Sequence, residues 1–129
     1  MPIMLVDDTQ DVLEVLAFWL QQAGYAVHAY DNAADALAAL RSGLQPSLIV
    51  LDLYMPVMTG FDFRTAQLAD ERLASIPVVV LSGHPATDQE KAALGAVRLL
   101  EKPVEPEILL AIIRAHRVPL TATGRSGSP

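Results

Sequence analysis

Ser47-Leu48-Ile49-Val50-Leu51-Asp52 is a short aliphatic run that stops on a carboxylate. A strand with one face in water alternates apolar and polar residues, whereas a continuous run of Val, Ile and Leu suits a parallel strand buried on both faces. Three other stretches have the same form. Met4-Leu5-Val6 runs into Asp7-Asp8, Val78-Val79-Val80-Leu81 ends at Ser82-Gly83, and Val97 to Leu100 leads into Lys102-Pro103. In an open parallel α/β sheet, ligands bind outside the carboxyl ends of the strands. If these runs are strands, three carboxylates, a hydroxyl and an ammonium converge on one crevice.

Helical patterns separate the runs. Residues 10–23 place Val12, Leu13, Leu16, Trp19, Leu20 and Ala23 on one face, with Gly24 as the stop. Tyr25 to Tyr30 alternates as a further strand, and Asp31 or Asn32 then caps a helix running to Arg41 and closed near Gly43. A loop with Pro56 and Gly60 precedes a helix expected from about Asp62 to Leu73, and Pro85 or Thr87 opens a short helix ending near Gly95. Pro106 fits the first turn of a last helix, with Ile108, Leu109, Ile112 and Ile113 facing inward. The pattern is (βα)5, an α/β fold whose right-handed crossovers permit a doubly wound parallel five-stranded sheet. From Pro119 the composition turns to Thr, Gly, Ser and Pro, so residues 1–118 are expected to form the domain and 119–129 a flexible tail or linker.

Composition narrows the function. The chain has 129 residues, 52% of them hydrophobic and only 5% aromatic, which suits one domain with an aliphatic core. Without cysteine there is no disulfide, thiolate metal site or thiol nucleophile. No apolar run reaches the roughly 20 residues of a membrane helix, and no signal-peptide pattern opens the chain, so a cytoplasmic location is expected. A net charge of −6 argues against nucleic-acid binding by this domain.

Over nearly all of residues 3–117 the chain resembles the receiver domain of two-component response regulators. The match lies in Asp7-Asp8, in L-D-L-Y-M-P-x-M-x-G around Asp52, in Ser82-Gly83, and in Gly95-Ala96 leading to Lys102-Pro103. Each piece alone is weak; in this order, each at a strand end, they form a strong joint signal. The resemblance implies a flavodoxin-like sheet of order 2-1-3-4-5 with its crevice between the first and third strands. It implies Asp52 as a phosphoacceptor that takes a phosphoryl group from a histidine kinase or histidine phosphotransferase. It further implies Mg²⁺ held by Asp7, Asp8, Asp52 and the backbone carbonyl of Tyr54, with Asp7 acting largely through water. Lys102 and Ser82 would contact phosphoryl oxygens, Gly83 would leave room for the group, and Pro103 would be the cis-proline that aims the lysine.

Simpler readings stand beside these. Asp7-Asp8 suits a helix cap, Asp52 a cap after a strand, Ser82 a turn residue and Lys102 a surface charge. His84 reads as a solvated loop histidine, although it and Tyr54 each lie two residues past a phosphate-contacting position, where side chains influence the hydrolytic water. The chain departs from the family pattern at Leu99, where many members carry Tyr or Phe; at Val97 and Arg98, where winged-helix members carry two acids; and at Val57 and Thr59, in place of Gly and Asp. Leu99 therefore bears on the switch mechanism.

The expected function is a signalling switch, not an enzyme, catalysing only its own aspartyl phosphorylation and dephosphorylation. It is expected to have no separate output domain and to act on a downstream target protein, with a phosphorylation-dependent dimer as a further partner state. The alternative is the N-terminal receiver portion of a longer regulator or hybrid kinase. A hydrolase of the haloacid-dehalogenase type would want a second acid two residues after the nucleophile, and Tyr54 stands there.

Overall fold

The computed structural model describes residues 2–83, 85–95 and 98–116. Strands and helices alternate: β1 (Ile3–Val6), α1 (Gln10–Gln22), β2 (Val27–Tyr30), α2 (Ala33–Arg41), β3 (Leu48–Asp52), α3 (Gly60–Leu68), β4 (Val78–Ser82), α4 (Asp88–Leu94), β5 (Arg98–Glu101) and α5 (Pro106–Ala115). All pairings are parallel, in the order β2-β1-β3-β4-β5. The three aliphatic strands β1, β3 and β4 are buried along their whole length, as strands covered on both faces must be. The edge strands β2 and β5 are partly exposed.

Alternation along each strand divides the core in two. Ile3, Leu5, Leu48, Val50, Val79 and Leu81 meet Leu13, Leu16 and Leu20 of α1 and Leu109, Ile112 and Ile113 of α5. Met4, Val6, Ile49, Leu51, Val78 and Val80 point the other way, toward α2, Phe63 of α3 and Leu94 of α4. Two helices therefore cover one face and three the other.

Several boundaries differ from expectation. β2 begins at Val27, because Tyr25 is drawn into the turn after α1: its N–H donates to the Leu20 carbonyl at 3.0 Å and its ring is buried. Asn32, not Asp31, caps α2 by accepting from the Asp35 N–H. The expected helix from Asp62 to Leu73 instead spans Gly60–Leu68, opened by a reciprocal capping box between Thr59 and Asp62. It ends early because the following turn has its own bonds: Asp70 Oδ1 accepts from the Arg72 N–H at 3.0 Å, and Gln67 Nε2 donates to the Leu73 and Ile76 carbonyls. Ile108 is 45% exposed, since Leu109, Ile112 and Ile113 already fill the inward stripe of α5. Among the described residues, no helix is long and apolar enough to cross a membrane.

α3 starts in close contact with the end of β3. The Gly60 N–H donates to the Leu53 carbonyl at 2.8 Å, and a Cβ on Gly60 would meet the Asp52 carbonyl oxygen at 2.7 Å and Leu53 Cα at 2.8 Å. Both obstacles are backbone, so the strand end itself would have to move. Gly60→Ala should destabilise the domain by about 1–3 kcal/mol through overpacking. Urea denaturation tests this, and a midpoint equal to wild type would show that the β3–α3 junction yields freely.

Candidate functional site

The sheet register brings the polar strand ends together. Val6 pairs with Leu51, so Asp7 and Asp52 follow as neighbours; Asp52 pairs with Leu81, and Ser82 with Glu101. One further ladder bond, from the Lys102 N–H to the Ser82 carbonyl at 2.7 Å, carries Lys102 to the same rim. The Lys102–Pro103 peptide bond is cis. Lys102 Nζ lies 2.8 Å from Asp7 Oδ2 and 3.2 Å from Asp52 Oδ1.

Asp7 and Asp52 are almost wholly buried, while Asp8 is exposed at the mouth. Carboxylate oxygens of Asp7, Asp8 and Asp52 lie within 4.8 Å of one another. Neither Asp7 nor Asp8 is the helix cap: Thr9 holds that position, and Asp7 Oδ1 accepts from the Thr9 N–H at 2.9 Å. Asp52 caps nothing either, since Thr59 opens the next helix. Three hard oxygen donors this close together, with the exposed Asp8 at the mouth, fit a small divalent cation such as Mg²⁺.

The electrostatics follow from burial. Desolvation and the charge of Asp7 raise the Asp52 carboxyl to about 6, against the opposing pull of Lys102, and neighbouring Asp8 adds to the rise. For Lys102, burial disfavours the ammonium, but the bond to Asp7 and the charges of Asp7 and Asp52 outweigh it and lift its pKa above the ordinary value.

The other expected residues lie around this cluster. Ser82 is fully buried as the last residue of β4. A Cβ on Gly83 would meet no atom within 4 Å, so open space adjoins it. Tyr54 sits in the β3–α3 loop with its ring edge-on to Phe61, and its hydroxyl donates to Glu90 Oε2 at 3.0 Å; desolvation first, and then this bond and the Glu90 charge, raise the phenol pKa. Leu99 is partly buried against the core shared with α2, α3 and α4. His84, Val97 and the tail expected over 119–129 lie outside the described residues.

Sequence reading missed one polar network. Arg64 and Gln67 are buried on α3, with Arg64 Nη1 donating to Gln67 Oε1 at 2.8 Å. The helical spacing of the buried residues Gly60, Phe63, Arg64 and Gln67 carried the signal, although Arg and Gln ordinarily belong to the exposed face.

The chain is thus an α/β domain with a parallel sheet of order 2-1-3-4-5 that carries acids and a lysine at one rim. The response regulator receiver domain model matches residues 3–114, and the chain belongs to that family. The transcriptional regulatory protein GltR of Pseudomonas aeruginosa is 36% identical over 115 residues, covering 88% of this chain and 47% of that protein. An uncharacterized 14.6 kDa protein of Leptolyngbya boryana is 32% identical, covering 90% of this chain and 89% of its own length. The chain thus spans about half the length of the transcription regulator (47%) and nearly all of the small relative. Among solved structures, the Vibrio cholerae chemotaxis protein CheY4 matches with a TM-score of 0.81 at 32% identity, over 92% of this chain and 98% of that one.

The raised Asp52 carboxyl sets a pH dependence. Between 3.8 and about 6 the native chain keeps a proton that the unfolded chain has released, so stability falls as pH rises through that interval. The cost is absent below about pH 4 and complete above about pH 6. In EDTA, Asp52→Asn should therefore stabilise the protein by about 1–3 kcal/mol near pH 7.5 and hardly at all near pH 4. Urea melts across that range test the sign; a gain that does not vary with pH would show an unperturbed Asp52.

Proposed function

We propose that this receiver domain is a phosphorylatable switch whose phosphoacceptor is Asp52. The carrying observation is the position of its carboxylate, buried beside Asp7 and 3.2 Å from the Lys102 ammonium at the carboxyl edge of the sheet. An oxygen of Asp52 attacks the phosphorus of a phosphohistidine on a kinase or phosphotransferase; the P–N bond breaks, the imidazole leaves, and an aspartyl phosphate remains. Lys102 Nζ, already donating to Asp7 at 2.8 Å, turns part of its donor capacity to a phosphoryl oxygen. The Ser82 hydroxyl donates to another, the space beside Gly83 admits the group, and Pro103 orients the lysine.

Asp7, Asp8 and Asp52, with the Tyr54 carbonyl, would hold Mg²⁺. When bound, the ion supplies positive charge that relieves repulsion among the carboxylates and the phosphoryl oxygens. The reaction is the domain's own modification and its reversal, so the role is signalling in the cytoplasm.

The donor must bring its phosphohistidine to a carboxylate that is 4% exposed, so the donor's own surface has to cover the rim. An apolar groove of about 470 Å³ opens there, lined by Val12, Val15, Leu16 and Trp19 of α1 and by Pro103 and Val104 beyond Lys102. This groove is the face we assign to kinase or phosphotransferase docking. Leu99 has neither a ring nor a hydroxyl, so a flipping aromatic on β5 is not the output device, and a smaller rearrangement reaches the downstream target. The coverage of GltR favours a second reading, in which the domain serves as the receiver portion of a longer regulator.

Acetyl phosphate with Mg²⁺ should label Asp52 alone, as mapped by borohydride trapping, and Asp52→Asn should abolish the label. Labelling of Asp52→Asn at the wild-type rate would remove the assignment. Mg²⁺ should also raise the melting temperature. With a dissociation constant of about 1 mM, a concentration of about 10 mM adds about 1.4 kcal/mol by linkage. Asp8→Ala should lose most of that gain, and a wild-type melting temperature indifferent to Mg²⁺ would count against the metal site.

A further inference from the structure

The two edges of the sheet are guarded differently. β5 carries an exposed charge at each end, Arg98 and Glu101, and charges on an edge discourage further strand pairing. β2, Val27-His28-Ala29-Tyr30, has no lysine, arginine, acid or proline and pairs with β1 without a bulge. The carbonyls of Ala26 and Tyr30 accept from the Ile3 and Asp7 N–H groups at 2.9 and 3.1 Å. By alternation, the N–H and C=O groups of Val27 and Ala29 point outward, away from β1. Among the described residues no hydrogen bond occupies them, and His28 and Ala29 are exposed.

Beside this edge lies a cavity of about 390 Å³, with Leu13 and Ala17 of α1 and the methyl of Ala29 as its apolar floor and Glu14, Asp31 and Asp35 as its exposed rim. Ala29 pairs with Leu5, whose side chain belongs to the α1 side of the core, so Ala29 faces α1 and His28 faces away. Asn32 Nδ2 donates to Asp31 Oδ1 at 2.8 Å and to Asp35 Oδ2 at 2.9 Å, and Gln10 Nε2 donates to Glu14 Oε2 at 3.3 Å. These neutral amides hold the carboxylates without cancelling their charge. Among the described residues no ion pair involves any of the three acids.

We propose that the outer edge of β2 docks an extended basic segment of a partner protein, which adds as a sixth strand and lays an Arg or Lys side chain into the acidic cavity. The outward groups of Val27 and Ala29 supply the backbone bonds, and the residue opposite Ala29 sends its side chain to the α1 face, over the cavity. The methylenes of that side chain cover Leu13 and Ala17, and its cationic head reaches Glu14, Asp31 and Asp35. An apolar side chain would leave those charges unmet and an acidic one would be repelled, so charge selects the basic segment. The site shares no lining residue with the apolar groove assigned to the donor, which opens on another side of α1.

Water-exchange NMR on the full chain, with the blocked peptides Thr-Val-Arg-Val-Thr and Thr-Val-Glu-Val-Thr, tests this. In the free chain the amides of Val27 and Ala29 should exchange at least about tenfold faster than those of His28 and Tyr30, which face β1. At about ten times its dissociation constant, the Arg peptide should slow Val27 and Ala29 about tenfold and shift Glu14 and Asp31. Raising NaCl from about 0.05 M to about 0.5 M should weaken binding several-fold, and Glu14→Gln with Asp31→Asn about three- to tenfold. Ala29→Pro removes an outward N–H and no ladder bond, and should weaken binding at least about tenfold. Should that variant unfold, the wild-type exchange pattern decides by itself. Equal affinity for the Glu peptide, no binding of the Arg peptide, or binding that leaves Val27 and Ala29 unprotected would overturn the site. Slow exchange of those two amides in the free chain would overturn the separate partner. If it depended on concentration it would mark a second copy as the occupant; if not, the chain's own residues 117–129, which carry Arg117 and Arg125.

Discussion

Repulsion among Asp7, Asp8 and Asp52, offset only in part by Lys102, is the constraint around which the site is built. A single ammonium within 2.8 Å of Asp7 and 3.2 Å of Asp52 cannot neutralise three acids, two of them buried. Burial first, and then the charge of Asp7, hold the Asp52 carboxyl above its ordinary range despite Lys102. Such a cluster costs stability unless a cation joins it, and it is poised for that reason to take up a divalent ion. The aliphatic strands around it supply the stability that makes the cost bearable.

Those strands also set the geometry. Because β1, β3 and β4 are parallel and in register, their carboxyl ends, and the first polar residue of each, arrive at one rim. The close approach of Gly60 to the Asp52 carbonyl fixes the loop that returns from that rim. The positive φ of 69° at Val57 lies in the same loop. A β-branched residue is disfavoured there, and the fully exposed valine gains no burial in return. Nothing in the structure explains that choice.

The output side departs further from the pattern of relatives. Leu99 packs into the core as an aliphatic residue, so β5 has no polar-tipped ring to move. α4 instead has a buried cationic anchor at one end, where Arg64 donates to the Leu94 and Gly95 carbonyls, and a surface hydrogen bond at the other.

The strand ends were legible in the sequence because burial on both faces demands unbroken aliphatic runs, and each run stops where the crevice needs polarity. Asp7, Asp8, Asp52, Ser82 and Lys102 were therefore visible as a set before any coordinates, whereas the caps were narrowed only to Asp31 or Asn32 and to Pro85 or Thr87, and the structure selects Asn32 and Thr87. The early end of α3 was not, because its turn depends on Gln67 reaching the carbonyls of Leu73 and Ile76. Nor was the bond between Tyr54 and Glu90, whose partners are 36 residues apart. Local pattern determined which residues form strands and which polar groups end them, since burial and capping act over a few residues. Only the tertiary structure decided that Arg64 holds the end of α4, because its partners come from another helix and a surface residue type occupies a core position.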